Sequence, residues 1–356
     1  MKYIFSVHQK LRNHKSYLIS PFFGRENIQQ NCKYYAFASF FKTIHEFIIR
    51  NTKIFHAWRV NMFKGVFTDL VTPFNERQEI QYGFYKRHLE FLKQNKIDGV
   101  ICHGLFGEYP SLTPMERIKV LEAVVQNRNG LKIFPFITDC CIYTLIESYR
   151  AISHLEFDAL FVGLPYFYPR LNEEGLFQFL DLFFKELKHP VFLVNVPQYT
   201  GNKITMKLIE MLSGHDCFIG IADYMGDLPL FKEMDAKYPK LQKLIAVDSL
   251  LVDGLKNGAV GVISPLSNVF PKLIVQMYST YISNALKAQE VQMKITGLKN
   301  VLSKYPTRSS IKYAMLQQGF PKLSVRTPLR DLVESEKTVL KSKLTSYLIE
   351  MNLVEE

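Results

Sequence analysis

The chain has 356 residues, of which 47% are hydrophobic and 22% are charged, and its formal net charge is +11. This composition is typical of a folded globular protein and excludes an intrinsically disordered chain. The apolar runs near the N-terminus, such as Tyr34–Phe41, are far shorter than the roughly 18–20 residues of a membrane span, so we expect no transmembrane segment.

The positive charge is concentrated near the N-terminus. Residues 1–61 hold ten Lys or Arg and two Asp or Glu, a net +8, whereas the other 34 basic and 31 acidic residues give only +3. Nucleic-acid binding needs a basic face on the folded body, so we predict no nucleic-acid partner. Three interpretations of residues 1–61 stay open: an unused upstream start, a transit peptide, and a surface-binding helix with apolar residues between Tyr34 and Trp58.

The cysteines follow no disulfide framework. They are odd in number and form no CxxC pair: Cys32, Cys102, Cys140, Cys141 and Cys217. We therefore expect a reducing compartment, with a cytoplasmic location, or a mitochondrial one if residues 1–61 are a transit peptide. We expect no cofactor and no metal, since neither HExxH nor His-x-His spacing occurs.

Short apolar runs alternate with amphipathic stretches from Phe63 onward. The predicted strands are Val66–Val71, Gly99–His103, Lys132–Thr138, Ala159–Leu164, Val191–Val196, Phe218–Ala222, Leu244–Val247 and Ala259–Ser264. The predicted helices include Gln81–Gln94, Pro114–Gln126 and Leu176–Leu187. Eight continuous apolar strands separated by helices indicate a closed parallel barrel. We predict an α/β fold, a (β/α)8 TIM barrel over residues 62–270 with a helical C-terminal extension over residues 271–356.

Five segments carry a family resemblance. They read GLFGEYPSLTPMER (Gly104–Arg117), PYFYP (Pro165–Pro169), NVPQYTG (Asn195–Gly201), FIGIADYMGDL (Phe218–Leu228) and GVISPLSNVFP (Gly261–Pro271). In this order and spacing they resemble the dihydrodipicolinate synthase / N-acetylneuraminate lyase family. The resemblance implies a (β/α)8 barrel that cleaves or condenses 2-keto acids through a lysine Schiff base, and assembly into tetramers from tight dimers.

The resemblance also implies a set of reacting groups at the C-terminal ends of the strands. A strand-six lysine attacks the keto carbon, and a strand-five tyrosine transfers protons. That tyrosine is helped by a hydroxyl after strand two and a second tyrosine after strand four. Hydroxyls and backbone N–H groups of the GxxGE turn hold the substrate carboxylate.

This chain departs from the family at the reacting positions. Ala222 stands where the Schiff-base lysine belongs, and Val194 replaces the proton-transferring tyrosine. Leu105 and Phe106 replace the two hydroxyl residues of the GxxGE turn. The second tyrosine of the strand-four loop is Phe167, and Tyr199 stands where synthases place an arginine.

The retained residues are of a different kind. They build the mouth of the barrel rather than react there: Gly104, Gly107, Glu108, Asn195, Pro197, Thr200, Gly201 and Asp223. Glycines permit backbone conformations that other residues adopt only with strain, and polar side chains of this kind can bond loop backbone. The scaffold is therefore expected to be intact and its chemistry lost.

Two hypotheses follow. The first is a barrel without Schiff-base activity that acts as a binding or assembly partner, as a homo-oligomer (dimer or tetramer) or with an active paralogue. The second is a lyase or aldolase acting on a 2-keto acid or sugar acid by another route. A metal-dependent version would use strand-end residues such as His103, Cys102, Asp139, Cys140, Asp223 and Asp248.

We also expect the six replaced positions to cluster at the barrel mouth and to make it small and dry. The ligand that we consider for this mouth is a small molecule, either 2-keto-acid-like or apolar. Carboxylates should bind poorly, because the hydroxyl donors and the arginine are missing and an anion against apolar walls loses hydration without compensation.

Overall fold

The computed structural model describes residues 63–350. Eight parallel strands close into a barrel in which each strand pairs with the next in the chain and β8 pairs with β1. The strands are β1 (Gly65–Asp69), β2 (Gly99–Cys102), β3 (Lys132–Ile137), β4 (Leu160–Gly163), β5 (Val191–Asn195), β6 (Phe218–Asp223), β7 (Gln242–Ile245) and β8 (Gly261–Ser264). The predicted (β/α)8 barrel is confirmed, and the predicted strand ends differ from these by no more than two residues.

Helices follow the strands and cover the outside of the barrel. They are Phe84–Gln94, Pro114–Gln126, Ile142–Ile152, Glu173–Phe184, Pro197–Thr200, Met206–Leu212, Leu228–Lys237, Leu251–Lys256 and Pro271–Ser283. Helix Pro114–Gln126 has the predicted bounds. It begins at a capping box, in which the Thr113 hydroxyl accepts from the Glu116 N–H and the Glu116 carboxylate accepts from the Thr113 N–H.

The core has two layers because side chains alternate across each strand. In β6, Ile221 packs outward against the helices, whereas Ala222 packs into the barrel. The inner layer is rich in aromatic rings, among them Phe134, Phe161 and Phe192, whose neighbouring ring centroids lie 5.1–5.3 Å apart. The barrel interior is therefore a packed core below its mouth.

Three helices follow the barrel: Ala285–Leu302, Thr307–Gln317 and Glu334–Glu350. The second is fixed to the turn after β2, because Lys312 Nζ donates to Glu108 Oε1 over 2.5 Å. The segment after that helix adds a second connection, since the backbone N–H of Arg326 donates to Glu108 Oε2 over 3.0 Å. The helical C-terminus predicted from the sequence thus contributes directly to the barrel mouth. The predicted boundaries at residues 61 and 270 stay predictions.

Candidate active site at the barrel mouth

The two positions that carried the family chemistry lie side by side and are fully buried. Val194 in β5 is paired in register with Ala222 in β6. Their exposed fractions are 1% and 0%, and both pack with the apolar interior of the barrel. Leu105 packs against the same interior cluster. These three replaced positions therefore form an apolar floor beneath the mouth.

The other replaced positions do not join that floor. Phe167 is 74% exposed and Tyr199 is 58% exposed, since both lie on loops beyond the strand ends. Phe106 packs toward the outer layer rather than into the barrel. The six positions therefore do not form one buried cluster, because Phe167 and Tyr199 are exposed on loops while Val194, Ala222 and Leu105 pack with the barrel interior.

Asn195 and Asp223 build the frame of the mouth between β5 and β6. Asn195 Nδ2 donates to Asp223 Oδ1 over 2.7 Å, and Asn195 Oδ1 accepts from the Ile204 N–H over 3.0 Å. Asp223 Oδ2 accepts from the N–H groups of Gly226 and Asp227 over 2.7 and 2.8 Å. Burial raises the pKa of Asp223, while these donors oppose the rise. Both side chains therefore hold the loop backbone in place by accepting its hydrogen bonds.

The remaining retained residues also shape loops. Pro197 starts the short helix Pro197–Thr200, and Gly201 ends it in the left-handed conformation at φ +68°. The Thr200 hydroxyl donates to the Asn202 carbonyl over 2.9 Å. In the turn after β2, the carbonyl of Gly107 accepts from the Thr72 hydroxyl over 2.6 Å.

A buried carboxyl that the sequence analysis missed lies at the mouth. Asp69 ends β1 and is 0% exposed. Its Oδ2 accepts from the Tyr224 hydroxyl over 3.3 Å and from the Phe106 N–H over 3.4 Å, whereas its Oδ1 has no hydrogen-bond partner. Burial raises the pKa of Asp69 to about 7. Hydrogen bonding with the Phe106 backbone, the Tyr224 hydroxyl and the Leu105 backbone, together with the positive charge of Arg308, opposes this rise. The signal was an acidic residue inside the apolar run Val66–Val71.

An arginine also reaches the mouth, from a part of the chain that the motifs did not cover. Arg308 lies in the first turn of Thr307–Gln317, and its Nε donates to the Leu105 carbonyl over 2.8 Å. Its guanidinium carbon lies 5.5 Å from the ring centroid of Phe106 and 5.9 Å from that of Tyr199. Tyr199 still stands at the family's arginine position, and helical packing brings a different arginine, remote in sequence, to the same mouth.

A second buried carboxyl lies near Tyr224. Asp248 Oδ1 accepts from the Ser264 hydroxyl over 2.5 Å. Burial raises the pKa of Asp248 to about 7, and the Ser264 hydrogen bond opposes this rise. The charges of Asp69 and Asp248 both raise the pKa of Tyr224, after burial as the largest cause. The phenol therefore stays protonated and acts as a donor.

The residues considered for a metal site are not brought together. His103 Nδ1 carries the proton, because it lies 3.0 Å from the Phe136 carbonyl, which can only accept. Burial, followed by the Arg117 charge, lowers the pKa of His103 to about 3, so the ring is neutral. Cys140 Sγ accepts from the Phe167 N–H. Within residues 63–350, no group of three or more His, Cys, Asp or Glu side chains is placed to hold a metal ion.

A closed (β/α)8 barrel with polar residues collected at the carboxyl ends of its strands defines a protein of the TIM-barrel class. The sequence profile of the dihydrodipicolinate synthetase family matches residues 62–347. The chain belongs to this family.

Relatives cover most of this chain. A 4-hydroxy-tetrahydrodipicolinate synthase of Staphylococcus epidermidis is 31% identical over 285 residues, 78% of this chain and 94% of the relative. An uncharacterised DapA-like lyase of Halobacterium salinarum is 27% identical over 284 residues, 79% of this chain and 92% of the relative.

Solved structures share the fold. A dihydrodipicolinate synthase of Bacillus anthracis superimposes with a TM-score of 0.76 at 24% identity, covering 80% of this chain and 98% of its own. A sialic acid aldolase of Ruminococcus gnavus, solved as a catalytic lysine mutant, gives 0.76 at 18% identity, covering 82% and 97%.

The structure contains no helix in its described part that is long and apolar enough to cross a membrane. The predicted cellular location stays a prediction.

Proposed function

We propose that this family member forms no Schiff base with 2-keto acids and acts as a binding or assembly partner. The observation that carries the proposal is Ala222, which stands at the lysine position, is fully buried, and pairs in register with Val194. An alanine has no nucleophile, and its surroundings are apolar. Covalent chemistry of this class needs an amine at the keto carbon.

Neither buried lysine of the described residues is placed to substitute. Lys243 in β7 faces away from the barrel interior and pairs with Asp235. The Lys312 ammonium donates to Glu108 Oε1 and to the Ser324 carbonyl, over 2.5 and 2.7 Å. Both amines are engaged by partners outside the barrel floor.

The assembly part of the proposal is supported by exposed aromatic side chains in the segments that directly follow β3 and β4, one in the first turn of helix Ile142–Ile152 and three in the loop after β4. Tyr143, Tyr166, Phe167 and Tyr168 are 49–74% exposed. Neighbouring exposed aromatic residues are typical of contact surfaces between proteins. We propose a homo-oligomer or a pairing with an active paralogue, and light scattering after size-exclusion chromatography tests the first arrangement.

The test of Schiff-base chemistry is reductive trapping. The full chain is incubated with pyruvate and borohydride and its intact mass is measured, with an active synthase of the family as the positive control. We expect no adduct on this chain under conditions that label the control completely. A single reduced pyruvate adduct that maps to a lysine of the barrel would overturn the proposal.

A second candidate function is a lyase or aldolase that works without a Schiff base. The observation that favours it is the pair of Asp69 and Tyr224, a carboxyl with a pKa of about 7 beside a phenolic donor. Such a carboxyl can act as a general base near neutral pH. This function predicts exchange of the pyruvate methyl protons in deuterated water, measured by NMR and lost in Asp69→Asn.

A further inference from the structure

We infer that the helical extension after the barrel carries a binding site for a small organic anion with an apolar body. The site is a cavity of about 380 Å³ between helix Thr307–Gln317, the segment that follows it, and the first turn of helix Glu334–Glu350. Small-molecule sites in proteins have volumes of about 300–1,000 Å³. The inference goes beyond the proposed function, because the residues that line this cavity all lie between Ser309 and Lys337, in the extension.

Part of the cavity wall is hydrocarbon. Leu323 and Leu332 line it from the segment after helix Thr307–Gln317 and are 6% and 5% exposed, and Leu316 lines it from that helix. A hydrocarbon chain that enters the cavity leaves water for this wall, and each methylene group that it buries raises the affinity about fourfold. The wall therefore favours a ligand with an apolar body.

Two lysines supply positive charge to the same cavity. Lys322 pairs with Glu76, and these side chains are 55% and 70% exposed. Lys337 Nζ lies 2.7 Å from the carboxylate of Glu334, whose side chain is 88% exposed. Water screens exposed ion pairs, so they contribute little free energy. Both ammonium groups can therefore turn to an anion inside the cavity at little cost.

The acidic residues of the lining do not reverse this preference. Asp331 Oδ1 already accepts a hydrogen bond from the Val325 N–H over 2.9 Å, and Glu334 is largely in solvent. The hydrogen bond from Lys337 lowers the pKa of Glu334, and the charge of Lys322 lowers it further. The two lysines thus act on one place at the rim, where the charged head of a ligand would lie between them.

The test uses four probes that separate charge from hydrocarbon. The full chain, labelled at its leucine methyl groups, is titrated at constant ionic strength with sodium hexanoate, sodium acetate, hexan-1-ol and hexylammonium chloride. NMR shifts of Leu316, Leu323 and Leu332 report binding, and Leu105 at the barrel mouth is the reference within the protein. We expect hexanoate to shift the three cavity leucines saturably, to leave Leu105 unshifted, and to bind at least tenfold more tightly than the other three probes.

Charge-removing variants test the two lysines. Lys322→Gln and Lys337→Gln should each weaken hexanoate binding several-fold and leave the binding of hexan-1-ol unchanged, because they remove a charge and keep the apolar wall. Lys343→Gln is the matched control, since Lys343 is an exposed residue of helix Glu334–Glu350 beyond the residues that line the cavity. All three variants replace exposed or partly exposed side chains and should fold as the wild type does.

Three results contradict the inference. The first is hexanoate that binds no more tightly than acetate or hexan-1-ol, and the second is a shift of Leu105 without shifts of the cavity leucines. The third is an equal loss of hexanoate affinity in Lys343→Gln and in the two cavity variants. Tighter binding of hexylammonium than of hexanoate would assign the cavity to a cation and contradict the inference as well. Reductive trapping measures the barrel interior, so a failure here and a failure of the proposed function are distinguishable.

Discussion

The buried ion pair between Lys312 and Glu108 gives the most quantitative prediction. The Lys312 side chain is 1% exposed and the Glu108 side chain 0%, and their charged atoms lie 2.5 Å apart. Replacing Lys312 by methionine keeps the volume and removes the charge, so the carboxylate stays buried with the Arg326 N–H as its remaining partner. Removing one member of a buried pair costs about 3–5 kcal/mol. We expect Lys312→Met to lose that much unfolding free energy.

The expected change in melting temperature is correspondingly large. At about 2–4 °C per kcal/mol for a domain of this size, Lys312→Met should melt roughly 6–20 °C lower than wild type. Lys237→Met is the matched control, since Lys237 and Glu233 form an exposed, solvent-screened pair whose loss should leave the melting temperature nearly unchanged.

Calorimetry and urea unfolding give the unfolding free energies of both variants. The double variant Glu108→Gln with Lys312→Met should recover part of the stability that Lys312→Met loses, because the unpaired charge is removed. If the unfolding free energy of Lys312→Met lies within about 1 kcal/mol of wild type, the reasoning is refuted, because the buried Glu108 carboxylate would then not need the lysine for stability.

Three further predictions concern the floor, the N-terminus and acid stability. Ala222→Lys alone should give no pyruvate-aldolase turnover and should lose roughly 1–3 kcal/mol by overpacking, and substantial turnover would show that the other replaced positions matter little. A fragment of residues 62–356 should melt at the temperature of the full chain, and a melting point several degrees lower would assign residues 1–61 a stabilising role. Burial lowers the pKa of His88 from 6.5 to about 4. Between pH 6.5 and pH 4 the unfolded chain therefore binds more protons than the folded chain. The free energy of unfolding falls by about 3 kcal/mol as the pH decreases through this range. His88 packs against the rings of Phe84 and Phe320, so phenylalanine can replace it. The free energy of unfolding of His88→Phe, measured with urea, should fall less than that of wild type between pH 6.5 and pH 4, and an equal fall in both proteins would exclude His88 as the cause.

Much of the fold was predictable because its signals are local. Strands buried on both faces need continuous apolar runs, and these runs placed all eight strands within two residues. The predicted helix Pro114–Gln126 has the same local character, since the structure shows that a capping box of Thr113 and Glu116 begins it. The loss of the lysine at Ala222 was also readable, because the flanking Gly220 and Asp223 set the register of that strand.

The makeup of the mouth depended on tertiary structure. Asp69, Tyr224 and Arg308 are separated by up to 239 residues in sequence and meet only because the barrel closes and a later helix packs over the turn after β2. Closure also decided that Val194 and Ala222 face inward while Phe167 and Tyr199 face solvent. Sequence by itself determined the strand pattern and the missing amine, since both are properties of short segments. Only the folded chain determined which charges share the mouth, because side chains from distant segments come together through packing that no local pattern encodes.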